Sequence, residues 1–521
     1  MSNQYPYYLS IGRADDLRDP RERTVYRILE IIPGALVWGT FVLAFLLSWL
    51  EPLWVSVFIL AFALYWIFKV VYFSFHTRSA YARMQDYQMR NWTLELDSLS
   101  PANFHVDVKD WRDLWQLIIL PIYKEPYEVV FPAVEALAKN TWPREKMIVV
   151  LAMEEAGGEE SMAVAERLRK EFEHKFGHLM ITIHQRGLEG EIPGKGSNER
   201  WAGERAKEFI DEKSISYQNV IVSSLDSDTV VYEDYFSCVA YHYLTVEKPL
   251  RTSYQPVPFF INNIWEAPPI SRVIAFSSTF WHTMNQERPE KHLTFSSHSM
   301  SFQTLVDIGF WQPNVVSEDS RVFWQAFLFY NGDYRVKSLF YPVKMDANVA
   351  RSFWRTLRNI YLQQRRWAYG VADVPYFIFG YWKKRKEIPF SAFWQYAFPV
   401  IEGFYSWATH AMLLFALGWL PLFFGGDEFN RSLFSYSLPR VLRVLLTIAM
   451  IGIISSAYLS IQILPPRPPQ YGKWKYVMMI LQWFFIPVTL IFFGVLPAIE
   501  AHTRLMLGRY LGFWVTEKHR K

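Results

Sequence analysis

Asp226 and Asp228 are the residues of this sequence best placed to do chemistry. A run of β-formers, residues 219–222, leads into Ser223-Ser224-Leu225-Asp226-Ser227-Asp228. If the chain stays extended there, both carboxylates point the same way, because strand side chains alternate. Two close carboxylates repel unless a cation or a proton lies between them. A hard divalent cation, Mg²⁺ or Mn²⁺, prefers oxygen ligands and shares them with phosphates. The pair therefore reads as a clamp for a metal and a diphosphate at the C-terminal end of a strand, where open α/β sheets bind ligands. The same D-x-D also suits a solvated turn, so the reading depends on the motifs that accompany it.

Three such motifs lie further along the chain. Ser317-Glu318-Asp319 precedes the apolar run 322–330. Ser317 suits an N-cap and the two acids suit a helix N-terminus; alternatively Asp319 faces the reacting centre as a general base. Residues 351–367 interleave Arg351, Arg355, Arg358, Arg365 and Arg366 with Phe353, Trp354, Leu357, Ile360 and Tyr361, the pattern of a helix lying on a membrane surface. Within it Gln363, Arg366 and Trp367 spell Q-x-x-R-W and share one helix face. An Arg can grip a diphosphate, a Gln can hydrogen-bond a sugar and a Trp can stack on its ring. The same Arg–Trp pair could equally anchor the helix at the headgroups. The small polar run Thr294-Phe295-Ser296-Ser297-His298-Ser299 suits a loop beside a substrate.

In chain order, Pro121-Ile122-Tyr123-Lys124-Glu125, Asp226-Ser227-Asp228, Ser317-Glu318-Asp319 and Gln363 to Trp367 resemble the motifs of the processive membrane glycosyltransferases of family 2, the cellulose synthase and hyaluronan synthase group. Phe513-Trp514-Val515-Thr516-Glu517-Lys518 is similar to the F-x-V-T-x-K gating loop of the bacterial cellulose synthases. The resemblance covers roughly residues 25–521 and implies a GT-A α/β domain with an α-helical transmembrane bundle. It implies that Asp226 and Asp228 hold the nucleotide diphosphate and its metal, and that Asp319, with Glu318 beside it, is the catalytic base. Arg366 would reach the diphosphate. Gln363 and Trp367 would meet the terminal sugar of the acceptor. Phe513, Val515, Thr516 and Lys518 would close over the bound nucleotide sugar, a UDP-sugar by the resemblance, with Tyr123 and Glu125 beside its uracil or ribose. Two departures stand out. An Asp pair of the family after the second strand is here Glu154-Glu155, which leaves Glu154 to contact a nucleotide whose base stays open. A Cys-Gly-Ser-type loop is here Ser296-Ser297-His298-Ser299, which assigns His298 to the acceptor and implies a different fit.

The elements that must position these groups are legible in the surrounding runs. Apolar runs at 115–122, 147–153, 180–184 and 219–225 predict strands; helical periodicity at 159–176 and 195–209 alternates with them. That alternation predicts a mostly parallel sheet. Acids stand at the ends of three strands, at Glu125, Glu154-Glu155 and Asp226/Asp228.

The frame around the sheet is apolar. Residues 31–50 carry no charge, and 53–75 form a second apolar run around Lys69, so the two predict a transmembrane hairpin. Arg13, Arg18, Arg21, Arg23 and Arg27 before it, and Lys69, His76, Arg78 and Arg83 at or beyond its end, put both flanks in the cytoplasm by the positive-inside rule. The expected organisation is a cytoplasmic segment 1–30, a hairpin 31–75, a GT-A domain 76–345, interfacial helices 346–389, membrane helices 390–500 and a cytoplasmic tail 501–521. Residues 390–424, 444–464 and 476–499 are the later apolar runs. Glu402 and His410 within the first are expected to line a sugar channel or to pair with a neighbouring helix. Three spans would leave the tail outside, yet Arg504, Arg509, Lys518, Arg520, Lys521 and a loop that must reach the nucleotide put it inside. One segment is therefore expected to pass twice or re-enter, breaking at Pro399 or Pro487.

Composition agrees with a membrane protein. Of 521 residues only 20% are charged, while 18% are aromatic, including 22 Trp. A formal net charge of +4 without a long basic block excludes nucleic acid as the main partner. The single cysteine, Cys238, excludes a disulfide framework within the chain. The N-terminus lacks the basic–apolar–cleavage pattern of a secretory signal. The expected partners are a nucleotide sugar, a polysaccharide or glycolipid acceptor and the lipid bilayer, with room for a protein that receives the product on the far side. The rival readings are transfer of one sugar to a lipid carrier, and an inactive membrane scaffold or transporter subunit.

Overall fold

The computed structural model describes residues 5–520; Lys521, counted above among the basic tail residues, lies outside them. Eight strands form one sheet: β1 (Trp115–Ile122), β2 (Met147–Glu154), β3 (His178–His184), β4 (Val220–Ser224), β5 (Val230–Val231), β6 (Thr252–Phe260), β7 (Ser299–Ser301) and β8 (Arg335–Met345). Their order is β3-β2-β1-β4-β7-β6-β8-β5. β3, β2, β1 and β4 run parallel, as do β6 and β8; β7 is antiparallel to β4 and β6, and β5 to β8. The expected α/β domain with an attached bundle of apolar helices is therefore present. Its first four strands were legible because parallel strands are buried on both faces and read as unbroken apolar runs. β6, β7 and β8 are interrupted by Pro, Ser and Lys and carry no such signal.

Alternate residues of β1 face opposite cores. Ile118 and Leu120 pack with the helices Tyr127–Ala138, Gly158–Phe172 and Tyr235–Thr245, while Leu117 and Ile119 pack with Lys195–Glu212 and Glu318–Phe329. The second core continues into the apolar helices through Phe393, Ala397 and Ala408. Binding groups at the strand ends are thus clamped between two rigid layers.

Among the described residues four helices are long and apolar enough to cross a membrane: Pro20–Leu50, Pro52–Met89, Leu433–Gln462 and Trp474–Met506. The first begins at Pro20, with Asp19 accepting from the N–H groups of Arg21 at 2.7 Å and Glu22 at 3.2 Å, so the expected boundary at residue 30 falls inside a helix. A fifth apolar stretch, Phe390–Phe415 with Leu417–Phe424, bends by 45°. That bend lies beyond Phe415 and not at Pro399, which the helix Phe390–Phe415 carries in its interior. Around Pro487 the winding changes, through a 3₁₀ turn Gln482–Phe485 and a π segment Ile491–Val495. Glu402 is paired across helices: Lys69 Nζ lies 2.5 Å away and Tyr65 donates to it at 2.8 Å. His410 stacks on Trp66 at 4.4 Å. Of the two expectations for this pair, contact with a neighbouring helix is the one observed.

Candidate functional site

The D-x-D stretch is not extended. β4 stops at Ser224, and Thr229 N–H donates to the Asp226 carbonyl at 2.8 Å, closing a turn. The two carboxylates reach the cleft by this turn and not by strand alternation. Asp226 lies 2.9 Å from Lys195 Nζ. Asp228 is buried; its Oδ1 accepts from Lys518 Nζ at 2.8 Å and its Oδ2 from the backbone N–H of Asp346 at 3.0 Å.

Lys195 is the centre of the site and was missed in the sequence. It opens the helix Lys195–Glu212, donates to both oxygens of Asp319 at 2.8 and 2.9 Å, and lies 3.6 Å from Glu199 and 3.9 Å from Glu318. Burial works against its charge, but Asp226 and Asp319 outweigh burial and hold its pKa well above the usual lysine value. A signal was available: a lysine at a helix N-terminus opposes the macrodipole, so something else must hold it there. Its neighbours Gly194 and Gly196 complete the signal. A Cβ on Gly194 would lie 2.6 Å from the Phe513 ring, and one on Gly196 would lie 2.9 Å from Glu318. Only glycine lets both groups close on the lysine.

Asp319 and Glu318 stand at the start of the helix Glu318–Phe329. Ser317 takes the N-cap position, but its hydroxyl donates to Asp373 at 3.2 Å instead of capping the helix. Thr294 Oγ1 donates to the Asp319 carbonyl at 2.6 Å, and His298 Nδ1 lies 3.9 Å from the Asp319 carboxylate. Burial pushes the His298 pKa down, so its ring is neutral beside the acid. Glu318 is buried, with both oxygens lacking a hydrogen-bond partner among the described residues. Burial, and then the charge of Asp319, push its pKa up to about 8. Glu199 is raised well above the usual value by burial, and its Oε1 accepts from Ser224 Oγ. Burial opposes ionisation of Asp226 as well, but Lys195 and Lys518 prevail and hold it well below the carboxylate range. The cleft thus sets an ionised Asp226 against Glu318 and Glu199, whose burial favours their protonated forms.

The C-terminal tail lies across this cleft. Phe513 packs under Arg366, whose guanidinium is 4.6 Å from the ring centre, and Trp514 lies 5.8 Å from Arg358. Val515 is half-buried, and Thr516 is buried with an unpartnered hydroxyl. Lys518 then meets Asp228, and Arg520 donates to Asp346 at 2.5 and 3.0 Å. Burial and the neighbouring Asp228 raise the Asp346 pKa. Asp346, just past β8, was not singled out in the sequence, and Arg520 was read only as one of the basic tail residues and not as part of the site, since nothing local marks either one for it.

Gln363, Arg366 and Trp367 do share a face. Arg366 points to the cleft, while Gln363 and Trp367 line a small adjoining pocket with Asp346, Asn348, Ser271 and Phe260. Gln363 accepts from Asn348 Nδ2 at 3.3 Å, and the Trp367 and Phe260 rings are 6.2 Å apart. Arg365 faces elsewhere and pairs with Glu500 at 2.6 Å. Beside β1, Glu125 accepts from the Tyr123 N–H at 2.7 Å, and Lys124 lies 5.0 Å from the Tyr123 ring centre. Glu154 ends β2 with one oxygen 3.1 Å from His184 Nδ1 and the other buried and unpartnered.

The donors fit a hard divalent cation. They are carboxylate oxygens, and two ammonium groups already bring positive charge to them. Glu199, Glu318 and Asp319 also place one oxygen each within 4.8 Å of one another.

No family profile matches the chain, and no curated protein does. Among solved structures it is similar to the mannosyltransferase PcManGT from Pyrobaculum calidifontis in complex with GDP-Man and Mn²⁺, with 14% identity and a TM-score of 0.38 over 77% of this chain and 99% of that one. It is similar to S. aureus TarS 1-349 in complex with UDP-GlcNAc at 12% identity and a TM-score of 0.30, covering 68% and 93%. It is also similar to GalNAc-T7 with UDP, GalNAc and Mn²⁺ at 9% identity and a TM-score of 0.32, covering 56% and 58%. The strand order and the acids at the strand ends stand independently of these likenesses.

Proposed function

We propose that the chain is an inverting membrane glycosyltransferase that moves a sugar from a nucleoside-diphosphate donor to a growing polysaccharide on the cytoplasmic side of a bilayer and passes the product across. The observation that carries this reading is the convergence of Asp226, Asp228 and Asp319 on one cleft, with Lys195 between Asp226 and Asp319, Lys518 on Asp228 and Arg366 over Phe513 of the same tail. Asp226 and Asp228 would hold Mg²⁺ or Mn²⁺, which supplies charge for the diphosphate when bound.

Asp319 takes the proton from an acceptor hydroxyl as that oxygen bonds to the anomeric carbon. The bond from this carbon to the diphosphate oxygen breaks on the opposite face, and the electron pair leaves with the diphosphate. One displacement inverts the configuration. Lys195 and Arg366 face the charge that builds on the leaving group. When the donor's phosphates draw Lys195 away, the Asp319 oxygens are released from their ion pair and are free to meet the acceptor hydroxyl. Gln363 and Trp367 would meet the acceptor sugar at the mouth of the adjoining pocket.

Incubating the full-length protein in membranes with a panel of nucleotide sugars and Mn²⁺ tests the proposal by product size. A ladder of products supports polymerisation. A single glycolipid replaces it with one-step transfer, and absence of nucleotide release across the panel leaves only the scaffold.

A further inference from the structure

Away from the acidic cleft, three stretches of chain meet on one carboxylate. Glu30 lies in the helix Pro20–Leu50 and is 1% exposed. One of its oxygens accepts from the backbone N–H of Ala14 at 3.1 Å. The other accepts from Arg27 Nη1 at 2.7 Å and from the Tyr510 hydroxyl at 2.8 Å. A buried carboxylate needs its lone pairs answered, and its charge makes each such bond stronger than a neutral one. Ala14 belongs to the segment before the helix, Arg27 to the helix itself and Tyr510 to the tail.

The same residues fix the direction in which the tail departs. Arg27 donates to the carbonyls of Leu505 at 2.9 Å and Met506 at 2.5 Å, groups that a helix end leaves without an intrahelical partner. Gly508 then turns the chain at φ +68°, and the Arg509 N–H donates back to the Arg504 carbonyl at 2.8 Å. The Arg13 guanidinium lies 5.5 Å from the Tyr510 ring centre. Between this root and Phe513 stands Gly512, where a Cβ would meet no atom within 4 Å among the described residues. The chain is thus held at Tyr510 and free to turn just beyond it.

The segment before the helix carries this joint to the helix that bears Asp319. Tyr376 donates its hydroxyl to the Leu9 carbonyl at 3.2 Å, and Arg321 Nη1 donates to the Ile11 carbonyl at 3.0 Å. Arg321 is buried on the helix Glu318–Phe329, and its Nε donates to Asp373 at 2.7 Å. We propose that Glu30 is a positioning residue for the nucleotide-sugar site. It fixes the root of the tail to the frame of the Asp319 helix, so that Phe513 and Lys518 come down on the cleft in register. This rests on the reading of the cleft as a donor site. Loss of the joint lowers the fraction of molecules with the tail in place, and the apparent donor affinity falls with that fraction.

Full-length protein in membranes tests the joint with two readouts. Brief trypsin treatment followed by intact-mass measurement reports exposure of Lys518 without any substrate. The KM and kcat for the nucleotide sugar report the site. Tyr510→Phe, which deletes one hydroxyl, should be cut after Lys518 about tenfold faster than the wild type, the order of one hydrogen bond to a charged group. It should raise the donor KM by a similar factor at near-normal kcat. Glu30→Ala should do both more strongly, and Glu30→Gln, which keeps an acceptor, should recover part of the loss. Tyr127→Phe removes a tyrosine–glutamate bond on the sheet domain and should match the wild type. Tyr510→Phe decides the matter if Glu30→Ala does not fold. Wild-type cutting and wild-type KM in Tyr510→Phe overturn the proposal, as does a loss confined to kcat. Faster cutting of Tyr510→Phe in a protein that transfers no sugar upholds the anchorage and removes the donor reading alone.

Discussion

Lys195 touches Asp226 and Asp319 at 2.9 and 2.8 Å in a cleft where its own side chain is 10% exposed. Removing one partner from a buried charge cluster leaves the others uncompensated, which typically costs ~3–5 kcal/mol. Lys195→Met is therefore expected to lower thermal stability by that order, with partial recovery in Lys195→Met/Asp319→Asn; unchanged stability would argue that solvent already screens the cluster. Glu318 gives a pH test. Its folded-state pKa of about 8 lies above the unfolded value, so its stabilising contribution is complete below the unfolded pKa and is lost as pH rises through 8. Unfolding followed from pH 5 to 9 should show wild-type stability falling relative to Glu318→Gln; parallel curves contradict the assignment. The aspartates were legible because D-x-D and the acidic helix start are local patterns. Lys195 and Asp346 were not, because their meaning arises only when β4, β8 and two helix starts meet in space.

At the scale of elements, the tail is the part whose role is least obvious from local sequence. Residues 508–520 form no helix or strand, yet Phe513 fills the space left by Gly194 and Lys518 reaches Asp228. A cation at Asp228 and the Lys518 ammonium exclude one another by charge. Lys518→Gln should thus bind Mn²⁺ in the absence of nucleotide about tenfold more tightly, while transferring sugar more slowly because the tail no longer closes on the diphosphate. Calorimetry with Mn²⁺ measures the first effect; unchanged affinity would show that Lys518 leaves Asp228 without cost. The F-x-V-T-x-K resemblance pointed to this segment. Its contacts with Asp346 through Arg520 were invisible, since a chain without periodicity gives no hint of where it lies.

For the whole molecule, the proposed function requires the apolar helices to keep the cleft on one side of the bilayer. Trp265 donates to the Pro465 carbonyl ahead of the helix Trp474–Met506, and Arg272 donates to Gln482 within its first half, so this part of the chain touches the sheet domain. Its end touches Arg27, which donates to the Leu505 and Met506 carbonyls. Both ends thus meet groups near the sheet-domain side, and we infer that this helix is the segment that re-enters. Cysteines introduced at Gln470 and Lys248 should then label from one face of the bilayer and one at Asp427 from the other, against a background of the single buried Cys238. Labelling of Gln470→Cys and Asp427→Cys from the same face contradicts it. The sequence carried the number of apolar runs and the conflict over the tail, but not its solution, because hydropathy records length and not direction.

The most direct measurement separates donor binding from turnover in full-length protein supplied with Mn²⁺ and its preferred nucleotide sugar. Asp319→Asn should bind the donor as the wild type does while turnover falls by ~10²–10⁴, the usual worth of a general base. Asp226→Asn/Asp228→Asn should lose the metal-dependent part of donor binding. Near-normal transfer by Asp319→Asn, or donor binding indifferent to the loss of both D-x-D carboxylates, would contradict the account.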